Sequence, residues 1–299
     1  MDVLSNFSIY MIFSVCIFYV TMLVLANLYN TSKITTGIYI QMIRFILLFL
    51  IVFLPFSSFA EDAGKNTVAH LQNAANRGNP EAQRLLGSLY YNAQGVPKDD
   101  AKAVEWWQKA AAGGDSQAQV MLGAAYHDGL GGLEKDDKQA ISWWNKAADK
   151  GDPEAQFNLA GAYHEGIGGL KRDDKQAIAW YQKAANQGDS GAQFNLGIAY
   201  YRGMGVDKNL QNAVGWFSKA AEAGDAQSQY ILAAAYQNGM GGMPKDSVQA
   251  YKWLIISHDN GDKEADESID SMKQLMTADE VSKGQQLATE WESAHPSAK

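Results

Sequence analysis

The amino-acid sequence predicts an all-α protein assembled from stacked helix–turn–helix repeats, and three observations carry that expectation. Six glycines, Gly78, Gly114, Gly151, Gly188, Gly224 and Gly261, recur every 36 or 37 residues, and a period of that length marks a repeat architecture. Between them a leucine is followed four residues later by tyrosine: Leu86–Tyr90, Leu122–Tyr126, Leu159–Tyr163, Leu196–Tyr200 and Leu232–Tyr236. That spacing marks one face of a first helix. Further on, Ala103, Ala140, Ala177, Ala213 and Ala250 each stand four residues before a large side chain, Trp107, Trp144, Tyr181, Phe217 or Leu254. This is a second helix, with large side chains set against alanines so that two helices approach closely. One such unit cannot bury its own apolar face, so the copies are expected to stack into a superhelix.

The chain opens on different material. Ile9 to Leu28 is uncharged and long enough to span a bilayer as a helix. Phe45 to Phe56 is a shorter apolar run behind Met42 and Arg44, followed by Ser57-Ser58-Phe59-Ala60 and then Glu61. Those features describe a signal peptide over residues 42–60, cut after Ala60, with Met42 favoured as the true start and residues 1–41 an over-extended segment. The alternative is a two-segment membrane anchor whose connecting loop is held in the cytoplasm by Lys33 and Arg44. Either way the repeats are expected on the outer side, periplasmic or secreted. The single cysteine, Cys16, lies upstream of the cut, which leaves the remainder without disulfide or thiolate chemistry.

Residues 61–77 read as a capping helix, with Thr67 to Arg77 resembling a second helix that lacks its first and Leu71 standing where later units have tryptophan. The repeats then occupy residues 78–113, 114–150, 151–187, 188–223 and 224–260. Asn79-Pro80 and Asp152-Pro153 supply an N-cap followed by proline at the first helical position. Asp136 with Gln139, Asp173 with Gln176 and Asp246 with Gln249 have the spacing of reciprocal capping boxes. The turn glycines come in pairs, Gly129 and Gly131, Gly166 and Gly168, Gly203 and Gly205, Gly239 and Gly241, and are expected to take positive φ where the first helix ends. No strand precedes them and they recur in register, so they are structural rather than a phosphate cradle. Residues 261–299 close the array. Ala265, Ile269, Met272 and Met276 mark a degraded first helix. Thr277 to Glu280 is a capping box opening a last helix with Val281, Gly284, Ala288 and Trp291 on one side.

The 299 residues are 46% hydrophobic and 19% charged, as in a folded protein. The first sixty carry only Asp2, Lys33 and Arg44, so the rest holds 23 basic against 32 acidic residues, net −9. An acidic array without a basic stripe is a poor partner for nucleic acid. Membrane contact is expected only through an uncleaved N-terminal segment.

These residues resemble the Sel1-like repeat family, relatives of the tetratricopeptide repeat. The matching pattern is Ala-Gln-x-x-Leu-Gly-x-x-Tyr, a Gly-x-Gly turn, and Ala-x-x-Trp-Tyr-x-Lys-Ala-Ala-x-x-Gly, well shown over Ala192 to Gly224 with Phe217 in the usual tyrosine place. The resemblance covers about Gly78 to Gly261. It implies a right-handed α/α superhelical solenoid that acts as an adaptor or scaffold, often exported in bacteria and engaged in cell-envelope processes or host contact. It also implies which first-helix side chains line a concave groove. One row is Arg84, Val120, Phe157, Phe194 and Tyr230; the other is Tyr91, His127, His164, Tyr201 and Gln237. An aromatic row beside a hydrogen-bonding row suits a protein or peptide partner. The competing expectation is that Phe157 and Phe194 pack on the neighbouring unit and serve only the fold.

Other chemistry is weighed and set aside. His127 and His164 stand one repeat apart, too far to share a metal at about 2 Å bond length when helices pack 8–10 Å apart. The pairs Asp99-Asp100, Asp136-Asp137 and Asp173-Asp174 sit at helix starts beside Lys98, Lys135 and Arg172, where capping and the helix dipole account for them better than acid–base catalysis. The Trp106-Trp107 and Trp143-Trp144 pairs suit packing more than carbohydrate stacking. Some disulfide-rich relatives are linked with β-lactam or wall hydrolysis, but here the repeats lack cysteine and the chain lacks Ser-x-x-Lys. A monomeric, non-catalytic binder without cofactor or metal is therefore expected.

Overall fold

The computed structural model describes residues 68–296; the apolar segments, the signal-peptide boundary and the start of the capping helix lie outside the described residues. Among the described residues there are thirteen α-helices, two single turns of 3₁₀ helix and no strand. The first helix, α1, covers residues 68–76. Five hairpins follow: α2 (Pro80–Asn92) with α3 (Asp100–Ala112), α4 (Ser116–Asp128) with α5 (Asp137–Ala148), and α6 (Pro153–Glu165) with α7 (Asp174–Asn186). Next come α8 (Ser190–Arg202) with α9 (Leu210–Glu222) and α10 (Ala226–Asn238) with α11 (Ser247–Asp259), closed by α12 (Ala265–Leu275) and α13 (Ala278–Ala294). From α2 to α12 each helix packs on the next, most closely within a hairpin, and α11 also receives α13. The result is the α-solenoid that the period requires.

Local chemistry sets the boundaries. Each first helix is opened by an Asn or Asp whose side chain accepts a backbone N–H, as Asp115 does from Ala118 at 2.7 Å and Asp189 from Ala192 at 2.7 Å. The residue before that cap is glycine at positive φ, from +85° at Gly78 to +95° at Gly224. It lets the chain turn back so that the cap's own N–H reaches the preceding second helix, for example Asp115 N–H to the Ala110 carbonyl at 3.1 Å.

Second helices are capped differently from the sequence expectation. Asp136 and Asp173 do accept from the N–H groups of Gln139 and Gln176. The reciprocal glutamine half of the box is not what serves them, because the N-cap N–H is already used. Asp136 donates it to Tyr126 O at 2.8 Å, Asp173 to Tyr163 O at 2.8 Å and Asp246 to Tyr236 O at 3.1 Å. The tyrosine carbonyl at the end of the first helix is thus the acceptor that closes each hairpin. The complete reciprocal box is Thr277 with Glu280, at α13.

The turn glycines do take positive φ, +70° and +63° at Gly129 and Gly131. Gly131 has a second reason to be glycine: a Cβ there would sit 2.4 Å from the Asp100 carbonyl oxygen of the preceding repeat. Gly168, Gly205 and Gly241 make the same approach to Asp137, Asp174 and Leu210. In the first repeat, Ala93 takes the left-handed conformation in place of glycine.

The core is one layer repeated. Leu86, Leu122, Leu159, Leu196 and Leu232 are buried, as are all five second-helix alanines and Trp107, Trp144, Tyr181, Phe217 and Leu254. Each leucine contributes roughly 1.5–3 kcal/mol by its removal from water. The outer tryptophans Trp143 and Trp180 pack back on the core of the preceding unit. Their outward faces are covered by lysine one turn on, with Lys146 and Lys183 each 3.6 Å from the ring centroid. Trp106 packs likewise on the core before it, with Lys109 4.2 Å from its ring centroid, so the Trp-Trp pairs work as packing and not as an open stacking surface.

Candidate functional site

The ten first-helix positions expected to form a groove separate into two populations. The row of Arg84, Val120, Phe157, Phe194 and Tyr230 is largely absorbed by packing. Val120 is 2% exposed and belongs to the core around Trp144, which corrects its assignment to a groove surface. Arg84 donates through Nε to Asp115 Oδ2 at 3.2 Å, across to the next repeat's helix cap. Phe157 lies tilted against Tyr181 at 5.6 Å between centroids and its ring edge lies where a Cβ on Gly191 of the following repeat would meet it at 3.0 Å. Phe194 lies against Phe217 at 5.9 Å. Tyr230 shares a 3.2 Å hydrogen bond with Ser268 on α12.

The two phenylalanines are half-buried, so they join stacking to whatever surface they present. Phe157→Ala is expected to lower stability by about 1–2 kcal/mol, less than a full core truncation because the ring is only partly enclosed. Denaturant melts of the single variant check this; an unchanged midpoint would make Phe157 a surface ring only.

The second row stays at the surface. Tyr91 is 41% and Tyr201 43% exposed, and Gln237 is exposed. His127 and His164 are half-buried and each is held by a carboxylate of its own second helix, His127 Nδ1 to Asp137 Oδ1 and His164 Nδ1 to Asp174 Oδ1, both at 2.7 Å. His127 also lies on Trp144 at 5.9 Å. The Arg172 guanidinium, 3.1 Å from Asp174 Oδ2, and then His164 hold the Asp174 carboxyl below its ordinary range. The clasp is therefore present above that ordinary range and lost as pH falls through the lowered value. Burial, ahead of Glu165 and Asp189, pushes the Tyr181 hydroxyl up to about 12, so it stays neutral beneath the face.

These clasps give the second member of two of the three Asp-Asp pairs a role that sequence reasoning missed. Asp136 and Asp173 cap, while Asp137 and Asp174 fix the histidines. A signal was present, since the fourth repeat replaces both partners at once, with Tyr201 for histidine and Leu210 for aspartate.

Where the clasp is replaced, the face opens. A cleft of about 380 Å³ lies between α8 and α10. Ile198, Phe217, Ile231, Ala234 and Met240 line it, with Tyr201, Tyr230, Arg202 and Asn238 among its walls. It brings together one residue from each expected row, Tyr230 and Tyr201. By the side of His164 and Asp174 there is only a water-sized space of about 30 Å³.

Comparison with known proteins places this geometry in context. The Sel1 repeat family matches residues 80–115, 116–152, 153–189, 190–225 and 226–262, together more than half of the chain. The chain is similar to a crystallised Sel1 repeat protein from Oxalobacter formigenes, 34% identical with a TM-score of 0.65, covering 71% of this chain and 60% of that one. It is also similar to a protective antigen present in uropathogenic Escherichia coli strains displaying an SLR fold, 27% identical with a TM-score of 0.51, covering 79% and 58%. A segment of 74 residues is 38% identical to DAP3-binding cell death enhancer 1 of Rattus norvegicus, which is 25% of this chain and 14% of that protein. The chain spans less than two thirds of each of these relatives.

Proposed function

The chain belongs to the Sel1 repeat family, a protein-interaction scaffold type, and from that premise we propose that it is an exported, non-catalytic adaptor. It holds a protein or peptide partner against the concave face built by its first helices. The observation that carries this reading is the surviving second row: Tyr91, Tyr201 and Gln237 remain exposed although the first row is largely taken up by packing. A partner meets rings and polar groups already fixed by the fold, so little ordering entropy opposes binding. One relative is named for binding another protein, and another is a protective antigen; both support a contact role.

The test is site-specific photocrosslinking in producing cells. A benzophenone amino acid at Tyr201 or Gln237 should capture one discrete partner, whereas the same probe at Lys183 on the second-helix face should not. Equal capture from both faces, or none from the first-helix face, would overturn the groove. N-terminal sequencing of the native protein tests export separately, with Glu61 the expected first residue. Turnover of a β-lactam or wall fragment by the purified chain would overturn the non-catalytic part.

A further inference from the structure

The cleft between the fourth and fifth repeats is where the array departs from its own pattern. In the second and third repeats, the position after the histidine is acidic and exposed, Asp128 and Glu165; in the fourth it is Arg202, which is also exposed. Among the described residues no carboxylate stands within 4.0 Å of the Arg202 side-chain nitrogens. Lys208 adds a second cation beside Tyr201, 5.7 Å from its ring centroid. An apolar floor of Ile198, Ile231 and Met240 thus adjoins a cationic wall in a chain whose net charge is −8.

We propose that this cleft anchors the partner through one apolar side chain of leucine size flanked by a carboxylate, the side chain entering between α8 and α10 and the carboxylate pairing with Arg202. This rests on the adaptor reading and adds to it the chemistry of the bound segment. The volume exceeds what one aliphatic side chain needs, and the guanidinium can donate two parallel N–H bonds to the two oxygens of the carboxylate. The net negative charge elsewhere does not forbid it, because repulsion beyond about 8–10 Å is screened at physiological salt.

Three capped peptides test this on the full chain: acetyl-Asp-Leu-Gly-amide, acetyl-Lys-Leu-Gly-amide and acetyl-Asp-Gly-Gly-amide, read by methyl NMR shifts of Ile198, Ile231 and Met240. The Asp-Leu peptide should give saturable shifts at those methyls, and the other two should bind at least about tenfold more weakly, the scale of one charged hydrogen-bonded pair. Arg202→Glu, at an exposed site, should reverse the preference between the Asp-Leu and Lys-Leu peptides while leaving the remaining methyl spectrum unchanged. Equal shifts with all three peptides, shifts confined to other methyls, or an Arg202→Glu variant with the original preference would overturn the proposal. If crosslinking from Tyr201 captures a partner while the peptides fail, the groove stands and the cleft chemistry falls. Should the Asp-Leu peptide bind at these methyls while no first-helix position crosslinks a partner, the cleft stands and the adaptor reading falls.

Discussion

Replacing Gly123 with alanine is expected to destabilise the array by about 2–3 kcal/mol, although alanine is the better helix former by about 1 kcal/mol. Gly123 lies in the middle of α4, and a Cβ there would stand 2.3 Å from Trp144 Nε1 and 2.5 Å from Cδ1. The ring cannot yield cheaply. It is 5% exposed, and its N–H donates to Val120 O at 3.3 Å, a bond worth about 1 kcal/mol that the displacement would break. Gly161, in α6, provides the control: no atom lies within 4 Å of its added Cβ. Gly161→Ala should therefore stabilise by about 0.5–1 kcal/mol through helix propensity alone.

The chain itself suggests the rescue. Gly87, Gly123 and Gly197 face Trp107, Trp144 and Phe217, whereas the third repeat combines Ala160 with Tyr181 in one core cluster. Trp144→Tyr added to Gly123→Ala should recover part of the loss, giving a favourable coupling in a double-mutant cycle of chemical melts. If Gly123→Ala were as stable as Gly161→Ala, ring and glycine would not be sized to each other.

A second large loss is expected from Gln229→Leu, about 1–3 kcal/mol, because the buried amide's bond to Ala221 O and the bond from the half-buried Asn260 would both be lost. Gln229 is fully buried. Its amide donates to Ala221 O at 3.0 Å, a carbonyl at the end of α9, and its carbonyl accepts from Asn260 Nδ2 at 3.0 Å. Leucine fills a similar volume, so the loss isolates the hydrogen bonds rather than a cavity. Gln83, Gln119 and Gln193 make the same reach to Ala75, Ala111 and Ala185. In the third repeat, Gln156 instead accepts from Gln187 at 3.0 Å. Gln83→Leu should cost less, since Gln83 is 8% exposed and makes one such bond. Thermal and urea melts of the two variants give the comparison; equal stability of Gln229→Leu and the parent would remove the glutamine from the account of repeat stacking.

Those glutamines show where reading the sequence stops. A glutamine four residues into a helix looks like a surface residue. Only the approach of the preceding repeat turns it into a buried staple that adds a second hydrogen bond to a helix-end carbonyl already accepting from the turn glycine, as Ala221 O does from Gly224 N–H. Phe157 presents the opposite case. An aromatic ring on the expected groove face suggested binding, but the neighbouring helix start at Gly191 takes up one edge of it. The histidine clasps were legible in part, since histidine and aspartate disappear together in the fourth repeat, yet the pairing itself needed the hairpin geometry.

The sequence by itself determined the helices, their N-cap residues, the left-handed glycines and the period, because those follow from residue spacing and from backbone chemistry within a few residues. Only the tertiary structure decided which side of each repeated residue remains free. That depends on contacts between residues roughly a repeat apart, such as Arg84 with Asp115 and Asn260 with Gln229. The same dependence left Val120 in the core and the Tyr201–Arg202 cleft open, because burial is set by the neighbour that stacks and not by the helix that carries the side chain.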